Sequence, residues 1–206
     1  MKQIRLLPRP FSLLPGSPSY PLTFLPPPMP RYVAFLRGIN LGARTVKNVQ
    51  LMKIFAAAGI PDAEPFIASG NVIFDSRITT EATLVGKIEG AIYRAMGFEA
   101  RTFLRSMAEL AKVAEQKPFA PARHASAIAF VVGFVDAPFT AAQKKTIASF
   151  ATDSDELHPK GRELYWLSQT RQSDSAFQRV PFDMKVCASS WRNINTVQRI
   201  VVKYSA

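Results

Sequence analysis

The sequence predicts an α+β protein built from two packed halves, and three observations support this. From residue 31 onward, apolar strand-like runs and helical patterns follow the order strand-helix-strand-strand-helix-strand, which is the ferredoxin-like split βαβ unit. The rest of the chain repeats a similar order, and no Gly/Ser linker separates the two parts. We therefore predict a ferredoxin-like subdomain over residues 29–106, followed by a second, similar α+β subdomain over 107–206 that packs against it.

Apolar periodicity and glycine stops define the elements of the first half. An unbroken apolar run over residues 32–36 is typical of a strand buried on both faces. Apolar residues spaced three and four apart predict a helix over 47–58, which Gly59 ends. Its apolar face would contain Val49, Met52, Phe55 and Ala56. The other predicted elements are strands over 64–68 and 72–75 joined by the tight turn Ser69-Gly70-Asn71, a helix over 80–96, and a strand over 99–104.

Capping boxes mark two helix starts in the second half, at Ser106 to Glu109 and at Thr140 to Gln143. A long apolar run predicts a strand over 127–135, and a turn around residues 159–161 joins a second predicted hairpin. Helical segments over about 174–180 and 193–203 would complete the chain, and a serine at 189 or 190 would cap the last of them. The acidic residues between the 140s helix and this hairpin, Asp153, Asp155 and Glu156, are predicted to form a solvated loop.

Residues 1–28 differ from the rest and are predicted to lie outside the fold. They contain eight of the sixteen prolines and no acidic residue, and proline lacks the backbone donor that helices and central strands need. Four interpretations stay open: a disordered tail, an upstream start codon with Met29 as the biological start, a transit peptide, or a structured arm. A secretory signal is disfavoured because prolines interrupt the two short leucine pairs.

Composition narrows the classes of function. The 206 residues are 48% apolar and 20% charged, as in globular proteins, and they carry a net charge of +11. An excess of basic residues favours anionic partners such as phosphates or nucleic acid. No apolar run reaches the ~18–20 residues of a membrane helix, so no membrane partner is predicted. A single cysteine fits a reducing compartment, and we predict a cytoplasmic protein.

Polar residues are predicted to meet at one edge of the first sheet. The first two strands of a split βαβ unit run parallel, so the loop after the first strand and the turn after the second share an edge. This edge would receive the candidate ligand-binding residues, which are Arg37, Asn40, Lys47, Ser69 and Asn71. Basic side chains, amides and a helix N-terminus are typical of an oxyanion or phosphate site. The alternative is that these residues only stabilise turns.

A second group of candidate ligand-binding residues, Arg192, Asn193 and Asn195, lies near the C-terminus. No acidic residue follows Asp183, so this region is basic. Arginine can fork onto a phosphate or a carboxylate, and asparagine can orient it. The alternative interpretation is that Arg192 attaches its own helix start to the body of the protein.

The residues offer little support for several kinds of chemistry. The only histidines, His124 and His158, are predicted in loop-like polar surroundings and stand in no nucleophile motif. Cys187 lies beside apolar residues and is predicted to be a small buried residue. No Walker loop or GxGxxG occurs, and His and Cys ligands are too few for a metal site, so no cofactor and no metal is predicted. The sequence signature of RNA-binding ferredoxin-like sheets is also missing.

Three separated motifs resemble the DUF1697 family of small uncharacterised bacterial proteins. They are YVAFLRGINLG over 32–42, FIASGNVIF over 66–74 and RNINTV over 192–197, and the stretch from Arg105 to Phe119 also fits. The resemblance runs from about residue 31 to residue 204. It implies a two-subdomain ferredoxin-like fold and a bacterial cytosolic protein, supports Met29 as the start, and implies no activity. Ala68 and Ile194 depart from the family, which usually has Gln and Trp at these positions.

Three hypotheses about function follow. The leading one is a cofactor-free cytosolic protein that binds a phosphate-bearing ligand or nucleic acid through the basic, amide-rich edge. The first alternative is a small-molecule enzyme in which Arg37 or Arg192 holds an anionic substrate. The second alternative is a structural or interaction module in which every motif serves turns and helix caps. The sequence leaves the identity of the ligand, catalysis and the oligomeric state open.

Overall fold

The first sheet is ferredoxin-like, as predicted. The computed structural model describes residues 29–40, 45–67 and 70–205, so the predictions for residues 1–28 and for Ser69 lie outside the described residues. The elements of the first half are β1 (Arg31–Arg37), α1 (Asn48–Ala57), β2 (Glu64–Phe66), β3 (Asn71–Asp75), α2 (Glu81–Met96), β4 (Arg101–Ser106) and α3 (Met107–Ala114). The sheet order is β2-β3-β1-β4 with antiparallel neighbours, so β1 and β2 run parallel with β3 between them.

The second sheet repeats this order. Its elements are α4 (Pro121–Ser126), β5 (Ala129–Phe134), α5 (Ala141–Ala148), β6 (Asp155–Lys160), β7 (Glu163–Ser168), two 3-10 turns (Gln172–Asp174 and Phe177–Arg179), α6 (Phe182–Lys185), β8 (Ser190–Asn193) and α7 (Ile194–Tyr204). The strands are ordered β6-β7-β5-β8, again antiparallel. In both halves a helix follows the fourth strand directly, and these helices, α3 and α7, pack against each other. The prediction of a second, similar unit is confirmed, whereas α4, α6 and β8 were not predicted.

The central apolar core lies between the two sheets. It combines the inner faces of both sheets with the buried sides of α3 and α7. At its centre the rings of Phe35 and Phe134 stack with centroids 4.1 Å apart. A second core fills the space between the first sheet and α1 and α2, and a third covers the outer face of the second sheet. The aromatic side chains on the inner face of the first sheet are therefore buried by the second half.

The apolar face of α1 differs from the prediction. The helix buries Leu51, Ile54 and Phe55, whereas Val49 and Met52 are 63% and 46% exposed. The helix has apolar residues at most of its positions, so two overlapping stripes satisfy the helical spacing. Contact with the sheet selects the stripe that continues through Ala58, which is also buried.

Both predicted capping boxes are present, and the cap of the last helix is different from the prediction. Ser106 and Thr140 each accept a hydrogen bond from the backbone N–H three residues later, and that residue's side chain accepts one in return. The last helix is capped by Asn193, whose Oδ1 accepts from the N–H of Asn195 at 2.9 Å. Ser189 and Ser190 cannot cap this helix, because β8 continues to residue 193 before the helix begins.

Asp155 is fully buried, so the predicted solvated loop is wrong at this position. It is the first residue of β6, and its Oδ1 accepts hydrogen bonds from Trp166 Nε1 and Ser175 Oγ, both at 2.8 Å. The loop-like placement predicted for the histidines is also wrong, because His124 lies on α4 and His158 on β6. Both rings contact the ring of Phe119, and His158 is exposed.

Candidate functional site

The loop after β1 and the turn between β2 and β3 meet at one edge of the first sheet. The N–H of Leu36 donates to the carbonyl of Gly70 at 2.7 Å. A Cβ on Gly70 would lie 2.8 Å from Ile39 Cδ1, and Gly70 has φ of +70°, so glycine is required by both space and backbone conformation. We name this edge the rim: Arg37 to Asn40, Lys47 at the start of α1, and Gly70 and Asn71.

Arg192 extends from β8 of the second sheet into the rim. All five of its N–H donors lie within hydrogen-bond distance of protein acceptors. These are Asn71 Oδ1 (2.5 Å), Ser190 Oγ (3.0 Å), Trp191 O (2.8 Å), Leu36 O (3.1 Å) and Gly70 O (3.4 Å). The guanidinium also lies over the ring of Phe35, 5.4 Å from its centroid. Desolvation lowers the pKa of Arg192 to about 10, so the group is still a cation at neutral pH.

Arg105 on β4 makes the reciprocal contact with the second half. Its Nε donates to Glu163 Oε1 at 2.7 Å, and its guanidinium lies 5.4 Å from the centroid of the Phe134 ring. Its other acceptors are Leu104 O (2.7 Å), Val135 O (2.9 Å) and Arg162 O (2.9 Å). Like Leu36 and Gly70 at the rim, Val135 and Arg162 are joined to each other by a backbone hydrogen bond. Arg105 and Arg192 are therefore equivalent positions in a pseudo-twofold arrangement, and Arg105 does not join the rim.

The two arginines differ in the partner of Nε. Glu163 gives Arg105 a carboxylate, whereas the equivalent residue, Asn71, gives Arg192 a neutral amide. Within the described part of the chain, no carboxylate lies within 4 Å of the Arg192 guanidinium. The rim therefore carries one uncompensated positive charge, whereas the equivalent site around Arg105 does not.

The other predicted rim residues have distinct surroundings. Arg37 forms an ion pair with Asp183. The Oδ1 of Asn40 accepts from the backbone N–H of Val46 at 2.9 Å, two residues before α1 begins. Lys47 is exposed at the N-cap position of α1, and the first turn of that helix contains no acidic residue.

A family model described as "Protein of unknown function (DUF1697)" matches residues 29–165. The chain belongs to this family. The resemblance seen in the sequence motifs is thereby confirmed. A solved structure titled "The structure of conserved bacterial protein SP0830 from Streptococcus pneumoniae" is similar to this DUF1697 chain, with a TM-score of 0.69 and 24% identity over 86% of this chain and 99% of that one. This likeness supports the fold. No curated protein matches the chain.

Two of the predicted ligand-binding residues of this DUF1697 protein, Asn193 and Asn195, do not lie at the rim. Asn193 and Asn195 line a separate cleft of about 340 Å³, together with residues of α4 and α7. The side chain of Asn193 serves as the helix cap described above. Arg192 therefore turns toward the rim, while the asparagine that follows it belongs to the opposite side of β8.

Other chemical groups in the described residues are constrained by burial. The sheet face that binds RNA in some ferredoxin-like proteins is here the central core, so its aromatic rings cannot stack on bases. Burial raises the pKa of the Cys187 thiol, and Asp136 and Asp183 add to this effect, which disfavours the thiolate. Over the described ranges, no helix is both long enough and apolar enough to cross a bilayer.

Proposed function

We propose that this DUF1697 protein binds a phosphate-bearing ligand at the rim. The observation that carries the proposal is the contrast between Arg192, which has no carboxylate partner among the described residues, and the equivalent Arg105, which has one. A partly enclosed cation without a counter-charge is unfavourable, and Arg105 avoids this cost through Glu163. Asn71 leaves the charge of Arg192 uncompensated, so an anion bound at the rim would gain from a positive potential that is already in place.

The neighbouring residues favour the same charge. Lys47 is exposed and forms no ion pair with any described residue. The first turn of α1 presents backbone N–H groups and the positive end of the helix dipole. Because the donors of Arg192 already bond to the protein, we expect Lys47 and the start of α1 to contact the ligand directly. Arg192 would then act through its charge.

The test is a calorimetric titration of the full chain with pyrophosphate, AMP and a single-stranded decanucleotide. Binding of AMP without preference for the oligonucleotide indicates a small phosphorylated ligand. Tighter binding of the oligonucleotide, with a steep loss as salt is raised, indicates nucleic acid because more counterions are released.

Three variants locate the site. Asn71→Asp places a carboxylate beside Arg192, as Glu163 does for Arg105, and should weaken binding about tenfold or more. Lys47→Gln should weaken binding similarly, whereas Lys53→Gln on the exposed side of the same helix should have little effect. Circular dichroism verifies that each variant is folded. The proposal is wrong if no probe binds, or if binding survives both Asn71→Asp and Lys47→Gln.

The same contacts favour a second candidate, a structural or interaction module without a ligand. Arg105 and Arg192 each join the two halves through backbone carbonyls of the other half, and this role needs no bound anion. In that case Arg192→Met lowers the free energy of unfolding and no probe binds the wild-type chain. An enzyme acting on an anionic substrate is a further hypothesis, and it requires that a probe be converted as well as bound.

A further inference from the structure

A cleft of about 1070 Å³ lies between α2, the edge strand β4 and the loop after β5. It adjoins the rim at Arg37 but extends away from it along α2. Residues from both halves line it, among them Glu89, Tyr93, Thr102 and Asp136. Ligand sites of proteins are often found in concave spaces of this kind between two structural units.

Each cation that lines the cleft among the described residues is paired with a carboxylate. Arg37 pairs with Asp183, and Arg101 pairs with Asp136 at 2.5 Å. The third arginine of the lining, Arg162, pairs with Glu81 at 2.8 Å and with Glu109 at 2.9 Å.

Two carboxylates of the lining have no such partner. Glu89 and Glu99 form no ion pair with any of the residues that the structure describes. The uncompensated charge of the cleft is therefore negative, opposite in sign to that of the rim.

Glu89 is held in place by the edge of the sheet. Its Oε1 accepts the backbone N–H of Thr102 at 2.7 Å, which covers one open donor of β4. No hydrogen bond to its other oxygen comes from residues 29–40, 45–67 or 70–205. Burial raises the pKa of Glu89, and the carboxylates of Asp136 and Glu99 add to this, while the Thr102 N–H and Arg101 oppose it.

Thr102 supplies an independent observation at the same place. The residue is only 2% exposed, and its hydroxyl has no hydrogen-bond partner among the described residues. Buried hydroxyl groups are nearly always hydrogen-bonded in folded proteins, so an unpartnered one indicates a position where a ligand or water atom is expected. Thr102 and Glu89 line the same cleft and are already joined through the Thr102 backbone.

We infer that this cleft binds a small organic ammonium compound, with Glu89 as the carboxylate that accepts its charged N–H groups. Tyr93 lines the cleft and is 57% exposed, so its ring is available to an ammonium group or an apolar body. Val85, Ala100 and Ala188 add apolar surface. A bare metal ion fits less well, because the described residues contain no group of three or more metal-ligating side chains. This inference does not depend on anion binding at the rim.

The experiment compares two probes of similar shape. Phenethylammonium and the neutral 2-phenylethanol are titrated into the full chain by calorimetry, and the binding position is followed by NMR chemical shifts. We expect the ammonium probe to bind at least about tenfold more tightly, because a hydrogen bond between two charged groups is stronger than a neutral one. Equal affinity for the two probes, or no binding of phenethylammonium, would overturn the inference.

Two substitutions test the roles of Glu89 and Thr102 in binding. Glu89→Gln keeps an oxygen that accepts the Thr102 N–H, so the fold is expected to persist while affinity falls about tenfold or more. Glu115→Gln removes an exposed carboxylate at the end of α3 and is the charge-matched control. Thr102→Val removes the unpartnered hydroxyl and should weaken binding without lowering stability. Asn71→Asp should leave phenethylammonium binding unchanged, which separates this cleft from the rim.

The pH dependence gives a second readout. Because a carboxylate must be ionised to bind an ammonium group, affinity should increase as pH rises through the elevated pKa of Glu89. The dependence should disappear in Glu89→Gln and persist in Glu99→Gln. Wild-type affinity in Glu89→Gln, or an unchanged pH profile, contradicts the role given to Glu89.

Discussion

Replacing Glu163 by glutamine should destabilise the protein by about 2–3 kcal/mol. The Arg105 side chain is 1% exposed and that of Glu163 is 14% exposed, so little solvent screens this pair. The substitution keeps the size of the side chain and an oxygen that can accept from Arg105 Nε. It removes the counter-charge only, and so gives Arg105 the surroundings that Arg192 has.

The magnitude follows from the geometry of the pair. With an Nε to Oε1 distance of 2.7 Å, the charge centres lie about 4 Å apart, where the Coulomb energy is about 4 kcal/mol at an effective dielectric constant of about 20. Part of this is offset, because glutamine is easier to desolvate than glutamate. The three carbonyl contacts of Arg105 remain and continue to stabilise the cation. A loss of about 2–3 kcal/mol corresponds to a decrease in Tm of about 5–10 °C for a chain of this size.

Urea denaturation followed by tryptophan fluorescence measures this loss. Glu99→Gln is the control, because Glu99 is exposed and forms no ion pair with any described residue, and it should change stability by less than about 0.5 kcal/mol. The loss for Glu163→Gln should persist at high salt, since the pair is buried. A variant within about 0.5 kcal/mol of wild type would show that an amide partners a buried arginine as well as a carboxylate does, and the neutral Asn71 beside Arg192 would then give no reason to expect anion binding at the rim.

Three further predictions concern stability. Burial would raise the pKa of Asp155, but hydrogen bonds from Trp166 and nearby hydroxyl groups lower it. The stabilisation that the ionised carboxylate contributes should therefore be fully present above the pKa of the unfolded state and should be lost as pH falls below about 4. Asp155→Asn should remove this step from acid denaturation. Ser106→Ala should cost about 1 kcal/mol of unfolding free energy in urea, through the lost helix cap. Gly133→Ala should cost about 1–3 kcal/mol in thermal unfolding, because a Cβ would lie 2.6 Å from the Trp191 ring.

Local patterns were sufficient to predict most of the fold. Strand β1, the glycine stop after α1 and both capping boxes depend on residues close in sequence, and the order of the elements then selects the ferredoxin-like arrangement. Strand β8 was missed because its four residues show no apolar alternation and pair only with β5. Helix α4 has a proline near its start, a signal that was available in the sequence.

The rim was predictable in its position and not in its contacts. Parallel β1 and β2 imply that the loop after β1 and the turn after β2 lie at the same edge, and the hydrogen bond between Leu36 and Gly70 agrees with this. The contact between Asn71 and Arg192 joins residues 121 positions apart and depends on how the halves pack. The burial of Arg105 was harder to predict. Its only indication in the sequence is the alternation along β4, which places Arg105 on the same inward face as Phe103.

The pseudo-twofold relation explains why we propose anion binding at the rim and not at the equivalent edge of the second half. In the second half, Glu163 neutralises Arg105, and Arg162 is paired with two glutamates, so the described residues leave no uncompensated positive charge at this edge. In the first half, the equivalent of Glu163 is the neutral Asn71, so no described carboxylate compensates the charge of Arg192. The same arginine contact between the halves thus occurs twice, and the two copies differ in the partner of Nε, which is Glu163 in one and Asn71 in the other. This difference gives the rim a positive charge that packing alone does not require.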